Sequence, residues 1–302
     1  MAAALQILHD IISFIFSHLL IINVLLSIVV VFFQRRNPKS VWAWLLILYF
    51  IPVLGFVFYL LLGADMHKRK MFRTKEIEDR LANAIRRQEL MIQSQELKEK
   101  YPGVTDYSDL VMYHLHTTSA MLTDDNDMDF FVNGEDKFAA LKEDMRNAKK
   151  SIHIQYYIIK NDELFQSIVE ILKEKAKEGV EVRILYDSMG CWKMRKKIWK
   201  QLEKEDIQCT EFFPALVGRL HLRINYRNHR KIVVIDDCIG YVGGFNIGKE
   251  YIDKDPKFGH WRDTHMRLTG SCVTALEARF ILDWNFADRK RLLSYEDYMD
   301  NL

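Results

Sequence analysis

His229-Arg230-Lys231-Ile232-Val233-Val234-Ile235-Asp236 is the stretch on which the reading of this chain turns. Ile232–Ile235 is an unbroken β-branched apolar run and predicts a buried strand. His229 and Lys231 stand two apart at its start, so their side chains point to the same face. The mouth of a rigid strand holds an imidazole beside an ammonium more firmly than a loose loop does. A neutral imidazole can attack phosphorus, and a lysine beside it can neutralise the phosphate oxygens. After six further residues Asp236 is followed by Gly243-Gly244-Phe245-Asn246, two positions that allow close backbone approach and then an amide donor. The stretch predicts a phosphate-handling pocket with His229 as nucleophile, Lys231 on the phosphoryl oxygens, and Gly243, Gly244 and Asn246 around the phosphate. Asp236 closes an apolar strand, where it either joins that chemistry or holds the turn.

Outward from this stretch, the sequence from Phe130 alternates helical and strand patterns. Helices are predicted at Glu135–Ala148, Asp162–Lys177, around Lys193–Lys204 and at Ala275–Trp284. Strands are predicted at Ile152–Ile159, Val180–Tyr186, Ile207–Phe212, Lys231–Asp236, Ile239–Val242 and Thr264–Leu268. Such alternation implies an α/β fold, a largely parallel sheet with helices on both faces and hairpins at the motif end. The expected domains are a two-helix membrane hairpin over 1–63, a charged helical linker over 64–127 and the catalytic repeat over 128–302.

Two apolar runs, Ile11–Phe33 and Val41–Leu62, each satisfy the requirement of about 20 residues for crossing a bilayer. Trp42, Trp44 and Tyr59 lie near the ends of the second run, as interfacial aromatics do, and Pro52 and Gly55 predict a kink. Met1–Asp10 carries no Lys or Arg, which argues against a cleaved leader. Lys68, Arg69, Lys70, Arg73 and Lys75 outnumber the basic residues between the runs, and so place both termini on the cytoplasmic side. Residues Glu76–Lys100 have helical apolar spacing and predict an amphipathic helix, either on the membrane or packed on the domain.

Bulk properties exclude more than they assign. A net charge of +2 over 302 residues gives no reason to expect nucleic acid as a partner. Cys191, Cys209, Cys238 and Cys272 have no paired or ligand spacing and read as reduced thiols, with no metal site. The run Asp124, Asp125, Asp127, Asp129 lacks the glycine and terminal glutamate of a calcium loop and reads as a solvated turn. The stripe Phe212–Val217 is either core or a lipid-facing edge. A histidine nucleophile needs an acceptor to orient its ring, and Asp263 in Trp261-Arg262-Asp263 is the candidate carboxylate. Arg223, Arg227 and Arg230 surround the motif and could meet anionic headgroups.

The spacing His-x-Lys-(x4)-Asp-(x6)-Gly-Gly-x-Asn resembles the signature of the phospholipase D superfamily, with His229, Lys231 and Asp236 as its named catalytic members. The flanks, Arg223-Ile224-Asn225-Tyr226-Arg227-Asn228, Ile247-Gly248-Lys249-Glu250-Tyr251 and Trp261-Arg262-Asp263-Thr264-His265, make it similar to the bacterial cardiolipin synthases of that superfamily, from about Phe33 to Trp284. The resemblance implies a phospholipase D-like repeat and transfer between two phosphatidylglycerol molecules through a phosphatidyl-histidine, with neither metal nor other cofactor. Anionic membrane lipids are the implied partners, without nucleic acid. Family members carry two His-Lys-Asp repeats, whereas only His229 here has Lys at +2 and Asp at +7. The expectation is therefore a truncated enzyme, or a half-enzyme completed by a second repeat in trans or by a homodimer. The alternatives are a homodimeric phosphodiesterase or nuclease and an inactive membrane-bound regulator.

Overall fold

The computed structural model describes residues 2–28, 38–51, 55, 85–94, 99, 102–214 and 227–298. Two compact units result: Met1–Met71 with Leu222–Asn225, and Phe72–His221 with Tyr226–Leu302. The first contains helices α1 (Ala2–Ile28) and α2 (Pro38–Phe50). They are joined by an Asn23 Nδ2 bond to the Leu48 carbonyl at 3.1 Å, and Leu48 is buried beside Leu26, Val41 and Trp44. Among the described residues no helix is long and apolar enough to cross a membrane. Residues 29–33 of the first expected span, and 52–54 and 56–62 of the second, lie outside the described residues.

In the second unit, residues 85–93 are helical and pack on α3 (Ser108–Thr118). Ile85 and Ile92 meet Val111 and Leu115, while the Gln88 amide bonds both the backbone nitrogen and the carbonyl of Leu122 at 2.8 Å. Of the two readings of the amphipathic helix, packing on the domain is the one its described residues show.

The sheet has seven strands: β1 (Asp127–Asn133), β2 (Ser151–Tyr156), β3 (Glu181–Asp187), β4 (Ile207–Phe212), β5 (Ile232–Ile235), β6 (Ile239–Gly243) and β7 (Arg262–Thr269). Their order is β1-β7-β6-β5-β2-β3-β4. Helices α4 (Gly134–Asn147), α5 (Glu163–Lys177) and α6 (Lys196–Glu203) cover one face through Phe138, Leu141, Phe165, Leu172, Trp199 and Leu202. Helix α7 (Cys272–Ala287) covers the other through Val273, Phe280 and Trp284. In β5, Val233 and Ile235 join the first layer and Ile232 and Val234 the second, the alternation a doubly covered strand requires. Local signals agree: the Asp162 carboxylate caps α5 on the Phe165 amide at 3.2 Å, and Gly179, at φ +88°, ends the helix before β3.

The sheet corrects one expectation. It is mixed rather than largely parallel, because only the β2–β3 and β3–β4 pairings are parallel, while β1–β7, β7–β6, β6–β5 and β5–β2 are antiparallel. Helical crossovers through α5 and α6 make the two parallel pairings. At the motif end Asp236 and Asp237, both at positive φ, turn β5 directly back into β6, and a tight hairpin can only be antiparallel. The consequence is functional. Because β5 runs opposite to β2, its first residue Ile232 pairs with Gln155, which brings the motif to the C-terminal ends of β2 and β3.

Candidate active site

His229 is exposed three residues before β5, and Lys231 is buried at the strand's mouth. The Lys231 ammonium lies 3.0 Å from His229 Nδ1 and donates to the His229 carbonyl at 2.7 Å. The ring of Tyr157, one residue beyond β2, sits on the imidazole with centroids 3.9 Å apart, and the ammonium is 5.5 Å from the same ring. Burial and the adjacent Lys231 charge lower the His229 pKa below its ordinary value, against an opposing pull from Asp187. Burial also lowers the Lys231 pKa, while Asp263 works the other way. The result favours a neutral imidazole beside a cation, which is what nucleophilic attack on a phosphodiester calls for.

Two buried carboxylates set this geometry. Asp187, at the end of β3, accepts from the backbone nitrogens of Asn228 at 3.0 Å, Met189 at 2.9 Å and Gly190 at 3.1 Å. Asp283, on α7, accepts from Asn228 Nδ2 at 2.9 Å, Gln155 Nε2 at 2.8 Å and Arg230 Nη1 at 3.2 Å. Asn228 is thus gripped by backbone and side chain immediately before His229. The arginines nearby are engaged in the same frame: Arg227 lies 3.8 Å from Asp187, and Arg230 reaches Asp283. Arg223 lies outside the described residues.

The remaining sequence-derived site residues divide. Asp236 lies beyond the far end of the four-residue β5 from His229, with the strand's length of about 13 Å between them. Its carboxylate accepts from the backbone nitrogens of Lys149, Lys150 and Ser151 at 2.8, 2.7 and 2.9 Å, fixing the turn into β2. Asn246 is buried, accepting from the Ile158 amide at 3.0 Å and donating to the Tyr251 hydroxyl at 2.9 Å, so it braces the loop after β2. The Gly244 amide is spent on the Thr264 carbonyl at 2.9 Å. Gly243 and Gly244 allow close strand approach rather than a nest of free amides: a Cβ on Gly243 would meet His265 Cα at 2.4 Å, and one on Gly244 would meet the Asp263 carboxylate at 1.9 Å. Asp263 bonds the Thr264 amide at 2.7 Å, and its influence on the motif falls on Lys231. Gly243→Ala, whose Cβ would meet the backbone of Thr264 and His265, is therefore expected to lower stability by about 1–3 kcal/mol. Gly103→Ala, where a Cβ meets nothing within 4 Å, serves as the control in the same thermal unfolding measurement.

Other groups weighed from sequence have structural work. Asp125 binds the Ser271 hydroxyl at 2.7 Å and so anchors the start of α7. Phe212 is core, packed with Phe280 and Trp284, while residues 215–217 lie outside the described residues. Among the described residues no group of three or more His, Cys, Asp or Glu could hold a metal. Tyr157, Asp187, Asn228 and Asp283 were not singled out from sequence. The one legible sign was a carboxylate, Asp187, directly ending the predicted strand Val180–Tyr186, since strand C-termini in α/β sheets gather ligand sites.

Residues 141–256 match the family model described as "Cardiolipin synthase, PLD-like domain", and residues 21–63 match "Phospholipase_D-nuclease N-terminal". The chain is 46% identical over 288 residues to the major cardiolipin synthase of Bacillus subtilis (strain 168), covering 94% of this chain and 59% of that protein. It is 42% identical over 298 residues to a cardiolipin synthase of Staphylococcus aureus (strain Mu50), covering 98% and 60% respectively. The chain thus spans about 60% of the length of these curated relatives. Among solved structures it is similar to NucT from Helicobacter pylori, with TM-score 0.43 and 17% identity over 54% of this chain and 98% of that one.

Proposed function

We propose that this chain, which belongs to the phospholipase D superfamily and carries the domain of its cardiolipin synthases, supplies the nucleophilic half of a phosphatidyl transfer between two phosphatidylglycerol molecules. The observation that carries the reading is the pairing of His229 and Lys231, 3.0 Å apart at the C-terminal ends of β2 and β3. An imidazole nitrogen attacks phosphorus, the bond to the glycerol oxygen breaks, and phosphatidyl-His229 forms as an acid protonates the departing glycerol. The free hydroxyl of a second phosphatidylglycerol then attacks the same phosphorus and returns its proton to that group. Cardiolipin leaves and His229 is restored. Lys231 holds the phosphoryl oxygens and offsets the charge of the pentacoordinate transition state. Asp263 supports that cation, and Asp236 holds the turn that fixes β5.

The acid is the missing partner. Only one His-x-Lys-(x4)-Asp sequence occurs in the chain, and the other described histidines of the catalytic repeat have different surroundings: His153 is buried between two glutamates, His260 is exposed and paired with Asp253 at 2.6 Å, and His265 is buried with its pKa pushed far down. We assign the acid to a second His-Lys-Asp repeat outside these 302 residues, on the same polypeptide or supplied in trans, or to a second copy of this chain across a two-fold axis. The apolar runs Ile11–Phe33 and Val41–Leu62 form the proposed membrane hairpin, with the catalytic unit on the cytoplasmic side.

The test is cardiolipin formation in phosphatidylglycerol vesicles at several protein-to-lipid ratios, with and without a separately made second repeat. Activity is expected to need that repeat or to rise with protein density. Density-independent synthesis by a demonstrated monomer would refute the assignment. Since the His229 pKa is lowered, the acidic limb of the rate profile is expected below pH 6.5, with the neutral, competent imidazole prevailing above it.

A further inference from the structure

The segment that follows Asp187 leads away from the site into a strongly basic surface. Gly190 and Cys191 pack on the backbone of Tyr157, the residue stacked on His229: a Cβ on Gly190 would meet the Tyr157 carbonyl oxygen at 1.9 Å, and Cys191 Sγ lies 3.5 Å from it. Trp192 comes next, 53% exposed, with the Lys193 ammonium 5.4 Å from its ring. Arg195, Lys196, Lys197 and Lys200 are all exposed. Within α6, Lys196, Lys197 and Lys200 fall in an arc of roughly 100°, at about 100° per residue. The opposite face is core, through the buried Trp199 and Leu202. Among the described residues no carboxylate forms an ion pair with any of these five cations.

We propose that Trp192 and this basic arc form a docking surface for a bilayer rich in anionic headgroups, seating the entrance to His229 at the lipid surface. The occupant follows from complementarity. Clustered exposed cations attract anionic headgroups, and an exposed indole suits the boundary between headgroup and acyl chain. With its other face in the core, α6 lies on the surface and does not insert. The remainder of the chain is net negative, since these five cations stand in a chain whose formal charge is only +2, and the attraction is concentrated here. The inference rests on the lipid-substrate reading above and adds to it how the substrate surface is met.

The full chain reconstituted in vesicles tests this. Quenching of tryptophan emission by lipids brominated high on the acyl chain is compared between the wild type and Trp192→Phe, so the difference reports residue 192. His229→Ala is used as the background, which removes chemistry and separates docking from turnover. Vesicles of phosphatidylcholine containing phosphatidylglycerol are expected to quench the Trp192 signal. Pure phosphatidylcholine is expected to leave it, as is the combined Lys193→Gln, Lys196→Gln, Lys197→Gln, Lys200→Gln variant, with about 5-fold less lipid engagement per lost cation. Salt should release it. Equal quenching in neutral and anionic vesicles, or none in either, overturns the proposal even where cardiolipin synthesis is intact. Protection of Trp192 by a single-stranded oligonucleotide but not by anionic lipid would also overturn it, assigning the surface to nucleic acid.

Discussion

His229→Ala is expected to abolish phosphatidyl transfer in any assembly that supplies the missing acid, with a fall of roughly 10⁴–10⁶-fold, the loss that removal of a covalent nucleophile brings. Nothing nearby replaces it. Tyr157 is the closest ring, but burial and the neighbouring Asp187 raise its pKa above the ordinary phenol value, away from a phenolate nucleophile. Lys231→Ala should cost less, about 10²–10³-fold, since it removes stabilisation of the transition state and leaves the bond-forming atom in place. The ratio of these effects separates the two roles. Cardiolipin formation from labelled phosphatidylglycerol is the readout, and wild-type activity in His229→Ala would remove it from the mechanism.

The second large effect is on stability. His153 is fully buried in β2, its Nδ1 2.7 Å from Glu277 on α7 and its Nε2 3.1 Å from Glu181 on β3. Burial alone would push its pKa down, but the two carboxylates outweigh it and raise the value from 6.5 to about 9. A folded-state pKa above the unfolded one gives stability that is fully present below pH 6.5 and is lost as pH rises through about 9, an amount of about 3 kcal/mol. Glu277→Ala strands the imidazole among apolar neighbours such as Phe280, stacked on it at 4.6 Å. A loss of about 3–5 kcal/mol is expected at neutral pH, because breaking a buried pair leaves its partner uncompensated. Denaturant midpoints measured from pH 6 to 10 should fall steeply in the wild type and weakly in the variant. Parallel curves would place the charge of His153 elsewhere.

Much of this fold was legible because burial pattern and turn chemistry are local. The predicted helices and strands from Glu135 onward recur within a few residues, and the doubly buried β5 was plain from Ile232–Ile235. Strand direction was not legible, because an apolar run reveals that a strand is buried but not which way its neighbour runs. The hairpin from β5 into β6 was expected, but the antiparallel pairing of β5 with β2 joins strands far apart in sequence and left no local sign. The site was half legible for a related reason. His229 and Lys231 are neighbours in sequence, whereas Tyr157, Asp187 and Asp283 reach them from β2, β3 and α7, and only the sheet order brings these together. Residue type alone did not decide two places: the carboxylate of Asp236, for which the turn was one of two readings, and the amide of Asn246 are each bonded to protein groups.

The central claim is that phosphorus becomes bonded to His229. The direct measurement is mass spectrometry of the chain, together with its complementing repeat, quenched in denaturant during turnover of phosphatidylglycerol and then digested. The peptide containing His229 is expected to carry one phosphatidyl group, the adduct to vanish in His229→Ala, and excess phosphatidylglycerol to discharge it as cardiolipin. A phosphatidyl group on a different residue, or an actively turning-over assembly with no adduct at His229, would contradict it.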